Sequence, residues 1–193
     1  RMEYLSHCHV LVVGLGGVGA YAAEQICRAG IGHMTIVDAD TVNDSNINRQ
    51  LPALHSTLGM QKAEVVGQRL LDINPRLKLT ILNEFLRDER TEELLSAQKY
   101  DFIVDAIDSL SPKAYLLYHA YRREIPIVSS MGAGAKIDPS QVKIADISKT
   151  CNCALAKAVR KRLRGMGLNK GIPVVFSTEI ANPEAVVEVE NEQ

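Results

Sequence analysis

Apolar residues fall in short unbroken runs separated by amphipathic stretches. His9 to Gly14 (HVLVVG), Met34 to Asp38 (MTIVD), Phe102 to Ala106 (FIVDA) and Ile125 to Ser129 (IPIVS) are such runs, and Leu77 to Leu82 alternates. Their length and β-branched content predict buried strands. Between them lie four helical stretches: Val18 to Gly30, Gly59 to Ile73, Thr91 to Ala97 and Pro112 to Arg123. In the second, Ala63, Val66, Leu70 and Ile73 supply the helical period, and Asn74-Pro75 ends it. Pro112 suits the first turn of the last. Strand and helix thus alternate from 9 to 130. That predicts an α/β fold, a doubly wound and mostly parallel sheet with helices on both faces. The rhythm breaks after Gly132-Ala133-Gly134. Residues 135–148 read as strand and loop, 154–164 as a basic helix, 165–173 as a mobile loop, and Val174 to Phe176 as a final strand. We expect residues 1–134 to form the core and 135–193 to be a C-terminal extension of the same domain. Arg1 stands close to the first strand, and Glu184 to Gln193 alternates Val with Glu and stops. Both ends read as clipped from a longer protein.

Composition narrows this picture. The chain carries 22 basic and 23 acidic residues, so no global basic field attracts nucleic acid and any such footprint has to be local. One segment qualifies: Lys157, Arg160, Lys161, Arg162, Arg164 and Lys170 lie within 151–178, which holds no acidic residue. It reads either as a solvated helix face or as a grip on phosphates. No apolar run reaches the length of a membrane span. The cysteines at 8, 27, 151 and 153 form no C-x-x-C pair, so no tetrathiolate zinc site is visible. They read as reduced thiols in a cytoplasmic protein, Cys27 as core packing and the Cys151–Cys153 pair as incidental rather than catalytic. The five histidines show no metal-ligand spacing.

The candidate chemistry begins at Gly14-Leu15-Gly16-Gly17-Val18-Gly19, which follows a strand and opens a helix. Gly14 permits the tight turn, Gly16 lets a phosphate approach the backbone, and Gly19 lets the helix pack closely, as in Rossmann-like folds. The helix N-terminus offers free N–H groups to phosphate. Asp38, at the end of the second strand, is placed to bind ribose hydroxyls. This much fits an NAD-dependent dehydrogenase equally well. The stretch from Asp40 through Ser45, Asn46, Asn48 and Arg49 does not, because it concentrates amides and a forked cation beside the nucleotide. Lys62 starts the next helix within reach of an α-phosphate. Asp105 and Asp108, followed by Ser109, close the fourth strand with two carboxylates suited to Mg²⁺ and nucleotide, although Asp108 also suits a helix cap. Together Arg49, Lys62 and Asp108 supply positive charge and a metal for a triphosphate.

In these residues the chain resembles the ubiquitin-activating-enzyme superfamily in its bacterial ThiF/MoeB/HesA-like form. The resemblance rests on VGLGGVG (13–19), GIGHMTIVDAD (30–40), SNINRQ (45–50), GMQKAE (59–64), INP (73–75) and DAIDS (105–109). It implies activation of a carboxylate by Mg-ATP through an acyl-adenylate, in a homodimer. It further implies that Gly16, Gly17 and Asp38 contact the nucleotide, Asn46 and Arg49 the β- and γ-phosphates, and Lys62 the α-phosphate, while Asp108 positions Mg²⁺ with Asp105 in support. The activating arginine of such a dimer comes from the partner's N-terminal segment, a role Arg1 does not fit. Four further stretches, RAGIGHMTIVD (28–38), DSLSPKAYL (108–116), GAGAKIDPSQVKIADISKT (132–150) and VFSTE (175–179), are similar to the branch that dehydrates threonylcarbamoyladenosine in tRNA. That branch implies tRNA as partner, with Lys157, Arg160, Lys161 and Arg164 as contacts, and a link to a cysteine desulfurase and its sulfur acceptor. Ser177 to Glu179 are placed near the active site on the same ground. The competing readings are a sulfur-carrier activator of the ThiF/MoeB type, an NAD-dependent oxidoreductase and a scaffold.

Overall fold

The computed structural model describes residues 2–182, so the features expected at Arg1 and at 184–193 lie outside the described residues. After a short turn of helix, α1 (Met2–Leu5), the chain runs β1 (His9–Val13), α2 (Gly19–Arg28), β2 (His33–Val37), α3 (Lys62–Ile73), β3 (Lys78–Leu82) and α4 (Asp88–Ala97). It continues through β4 (Phe102–Asp105), α5 (Leu110–Arg122), β5 (Ile127–Ser130), β6 (Val142–Asp146), α6 (Ala154–Gly165) and β7 (Pro173–Ser177). One seven-stranded sheet results, in the order β3-β2-β1-β4-β5-β7-β6. All pairings are parallel except β6 against β7, where Val142 faces Ser177 and Asp146 faces Pro173.

The two-residue repeat of a strand divides β1 between two cores. Val10 and Val12 pack with Ala23 and Cys27 of α2 and Val66 and Leu70 of α3. Leu11 and Val13 face the other way, into a layer with Leu94 of α4, Leu116 and Leu117 of α5 and Val159 and Leu163 of α6. Strands covered on both sides explain the unbroken apolar runs. Cys27 is buried as packing, its thiol donating to the Leu70 carbonyl at 3.3 Å.

Element boundaries shift for local reasons. Helix α3 starts at Lys62 rather than Gly59, because Gly59 has φ +79° and Gln61 is extended. Helix α4 starts at Asp88, ahead of Thr91, with Asp88 and Glu89 in the first turn, where acidic side chains suit the helix dipole. The loop after α6 is present, and buried Leu168 and Ile172 anchor it. No helix of the described residues is long and apolar enough to cross a membrane.

Chain order places the site. From β1 the chain steps outward to β2 and β3, then returns to β4 on the opposite side of β1. The C-terminal ends of β1 and β4 diverge at that reversal, the crevice where open α/β sheets take ligands.

Candidate active site

The floor of this crevice is the glycine loop. Gly14 has φ +86°, and a Cβ there would stand 2.7 Å from the Ala106 carbonyl oxygen. At Gly19 a Cβ would stand 1.7 Å from the Gly14 carbonyl oxygen, so Gly19 serves the packing of α2 on β1 and lies behind the cleft wall. Gly16 and Gly17 line the cleft itself. Asp38 fastens the loop from below. Its carboxylate accepts from the Leu15 N–H at 2.6 Å and from the Asp40 N–H at 2.8 Å. Burial pushes this carboxyl up, against the opposing pull of those two donors and of Lys62.

The cleft encloses about 440 Å³. On one side Lys62, itself buried, extends its Nζ to 3.0 Å from the Asp40 carboxylate, which is exposed. Arg49 lines the same cleft from an exposed position. Its Nη1 donates to the Ser45 carbonyl at 2.9 Å and to Asn48 Oδ1 at 2.8 Å. Opposite stand Asp108 and Ser109, and beyond them Ser130 to Gly134 and Leu155. No described residue engages the exposed Asp108 carboxylate. The result is two cations and one free carboxylate around a floor that admits backbone contact.

Several expected contacts take other positions. Ser45 and Asn48 stand behind the wall and hold Arg49. Asn46 is buried off the wall, and its Oδ1 accepts from the Asn43 N–H at 3.0 Å to close the turn that carries Arg49. Asp105 is a correction: it does not line the cleft, where a contact with nucleotide or metal was expected. It is fully buried, accepting from Lys113 Nζ at 2.7 Å, Ser129 Oγ at 2.5 Å and the Ile107 N–H at 3.0 Å. The pleat that turns Asp105 inward leaves Asp108, past the strand end, in the cleft. Ser177 to Glu179 also lie off the wall, where the Glu179 carboxylate accepts from the N–H groups of Ile137 and Asp138.

Sequence reasoning passed over three contributors. Gln50, next to Arg49, lines the cleft with a buried Oε1 that has no partner. Phe85 adds an exposed aromatic wall. Lys113 is fully buried behind the cleft, paired with Asp105. The signal for Gln50 was its place in the SNINRQ run; Lys113 had only its odd position on an otherwise apolar helix face.

Helix α6 starts at the cleft, with Leu155 on its wall. Cys153 caps it, Sγ accepting from the Ala156 N–H at 3.4 Å. Lys157, Lys161 and Arg164 follow at helical spacing on its exposed face, with no partner among the described residues. Arg160 instead turns inward, donating to the carbonyl oxygen and hydroxyl of Thr150. Arg162 rests on Tyr115, with 3.0 Å to the phenol oxygen.

Comparison with known proteins gives a consistent answer. Residues 1–182 match the ThiF family. A tRNA threonylcarbamoyladenosine dehydratase of Bacillus subtilis (strain 168) is 43% identical over 178 residues, covering 92% of this chain and 70% of that protein. Its counterpart in Escherichia coli (strain K12) is 40% identical over 185 residues, covering 92% and 69%. The crystal structure of the E. coli dehydratase TcdA in complex with ATP superposes with a TM-score of 0.89 at 38% identity, over 94% of this chain and 77% of that one.

Proposed function

The chain belongs to the ThiF family, and on that premise we propose that it uses ATP to adenylate the carboxylate of threonylcarbamoyladenosine at position 37 of tRNA, after which the product cyclises with net loss of water. The observation that carries this reading is the placement of Arg49, Lys62 and the unengaged Asp108 around one glycine-floored cleft. A pyrophosphate of a dinucleotide does not call for that much charge, whereas a triphosphate does.

A carboxylate is a poor electrophile because its oxygen is a bad leaving group. Its attack on the α-phosphorus of ATP forms a C–O–P bond, and the bond from the α-phosphorus to the bridging oxygen breaks. Pyrophosphate departs with that electron pair. The carbamoyl group then attacks the activated carbonyl carbon within the same nucleoside and gives up an N–H proton to solvent, and AMP leaves with the carboxylate's former oxygen. The oxygen of the lost water thus ends in AMP. Lys62 and Arg49 stabilise charge on the departing pyrophosphate, the dominant protein contribution in such transfers. Ring closure needs no side-chain nucleophile, since well-oriented intramolecular reactions reach effective molarities on the order of 10⁵ M.

The donor set fits Mg²⁺. No cluster of three or more metal-ligating side chains exists among the described residues. Asp108 alone offers a free carboxylate on the cleft, and Mg²⁺ is commonly held by one or two carboxylates together with substrate phosphates. When bound it supplies charge neutralisation on the triphosphate. Lys157, Lys161 and Arg164 take tRNA phosphates along α6, leading away from the cleft. The same reading makes the acting species a cytoplasmic homodimer linked to a cysteine desulfurase and its sulfur acceptor.

The test is ATP–pyrophosphate exchange with tRNA carrying threonylcarbamoyladenosine and with tRNA lacking it, followed by mass analysis of the nucleoside. Exchange only with the modified tRNA, and a product lighter by one water, is the expected result. Nucleotide binding that responds to neither tRNA would overturn the substrate assignment.

A further inference from the structure

Lys113 and Asp105 form an ion pair with both side chains at 0% exposure. Burying two charges is costly, and well-packed apolar residues of similar volume hold a core as well or better. Stability alone therefore gives no reason for this pair. Its surroundings do. Asp105 ends β4, and its second oxygen accepts from the Ile107 N–H, one residue before Asp108. Lys113 lies in the first turn of α5, so its ammonium ties the start of that helix to the end of β4. Ser129 donates to the same carboxylate from β5, beside Ser130 and Met131 on the cleft wall. The Ala106 N–H donates to the Val13 carbonyl at 2.8 Å, against the close approach at Gly14. One buried carboxylate thus joins the Asp108 loop, the start of α5 and β5 at the outer wall, while the backbone alone ties the Asp108 loop to the glycine loop.

We infer that Lys113 is a positioning residue, which through Asp105 fixes the 106–108 loop so that Asp108 meets the cation on the triphosphate. This rests on the nucleotide-site reading above, in which Asp108 holds Mg²⁺. Lys113 touches neither nucleotide nor substrate. It acts by clamping the carboxylate that clamps the loop. Residues that orient a metal ligand from behind usually matter at the level of about 10- to 100-fold in metal affinity or activity.

Calorimetry of ATP binding, with excess Mg²⁺ and in EDTA, measures the metal's contribution directly. Lys113→Met alone leaves Asp105 charged and unpaired, so the informative variants are Asp105→Asn/Lys113→Met, which removes both charges, and Ser129→Ala, which removes one donor. Asp108→Asn is the comparator. The double variant is expected to keep its EDTA affinity for ATP and to lose the Mg²⁺ enhancement, matching Asp108→Asn. In pyrophosphate exchange its kcat should fall by about 10- to 100-fold with a smaller change in KM. Ser129→Ala should melt modestly lower, since Lys113 and the Ile107 N–H still engage the carboxylate, and should lose part of the enhancement. Variants that melt lower but keep the full Mg²⁺ enhancement would reduce the pair to a structural element and overturn the proposal. Full enhancement in Asp108→Asn would overturn it too, by removing the metal ligand it positions. Failure of the tRNA reaction in the unmodified protein would strike the substrate assignment alone, because the calorimetric comparison stands on nucleotide binding.

Discussion

Lys62 and Arg49 reach the same cleft from different environments. Lys62 is buried with one exposed acidic partner, so its charge acts through little solvent. Arg49 is exposed and held in place by Ser45 and Asn48, which engage its Nη1. On the proposed mechanism, removing either cation takes away stabilisation of the leaving pyrophosphate. Lys62→Ala should lower the exchange rate by about 10²- to 10³-fold, the scale for losing one preorganised charge-stabilising group. Its melting temperature should hardly move, since the abandoned Asp40 is already in water; single-turnover assays and thermal melts check the two halves. Glu24 shows a charge with a structural task. Its carboxylate accepts from Arg69 of α3 at 2.6 Å and from Arg28 at 2.9 Å. The Arg69 hydrogen bond, opposed by burial and reinforced by Arg28, holds this carboxyl below the usual range. A depressed carboxyl stabilises the fold above its unfolded pKa, and that contribution disappears as pH falls through the folded value. The wild-type protein should therefore melt above Glu24→Gln at neutral pH and lose that advantage on acidification, as paired melting curves across pH will read.

Helix α6 turns a stretch of sequence into a surface. Lys157, Lys161 and Arg164 repeat on one face, while Arg160 is spent on Thr150. Replacing the three exposed cations with Gln should raise the KM for tRNA. It should also reduce the slope of log affinity against log salt by up to about 0.9 for each phosphate no longer neutralised. ATP affinity measured without tRNA should stay as it is. Filter binding over a salt series distinguishes this from a solvated face, which would leave the slope unchanged. The distinction between Arg160 and its neighbours was invisible in the sequence, because it depends on where Thr150 lands. The strands and helices themselves were legible, since burial on both faces imposes apolar runs on the strands and a 3.6-residue period on the helices. The glycine loop, Arg49, Lys62 and Asp108 were legible through their spacing around strand ends. Asp105 was not, because a strand-end carboxylate facing inward reads the same as one facing out. Asn46 also closes the turn that carries Arg49, a structural task its sequence position does not show. The order of strands was beyond periodicity altogether: nothing in Val174 to Phe176 marks a strand that inserts between two earlier ones.

The cleft is assembled from loops that follow the five parallel strands β1 to β5, with separate cores above and below the sheet. A ligand bridging those loops should stabilise the molecule as one body. At ATP concentrations about 100-fold above its Kd, binding contributes roughly 2.7 kcal/mol. For a domain of this size that corresponds to a rise in melting temperature of about 5–10 °C. NADH should give no such rise, and a thermal-shift comparison of the two ligands tests the preference for a triphosphate. The position of β7 has a consequence in time rather than space. β6 is synthesised first but, among the described residues, pairs only with β7, and β7 must also cover the flank of β5. A growing chain therefore holds the glycine loop, Arg49, Lys62 and Asp108 well before its sheet is closed. At about 5–20 residues per second, β5 is an open edge for several seconds. Open edges invite pairing with other chains. The ribosome-bound intermediate, rather than the finished enzyme, is where this fold is most exposed to aggregation.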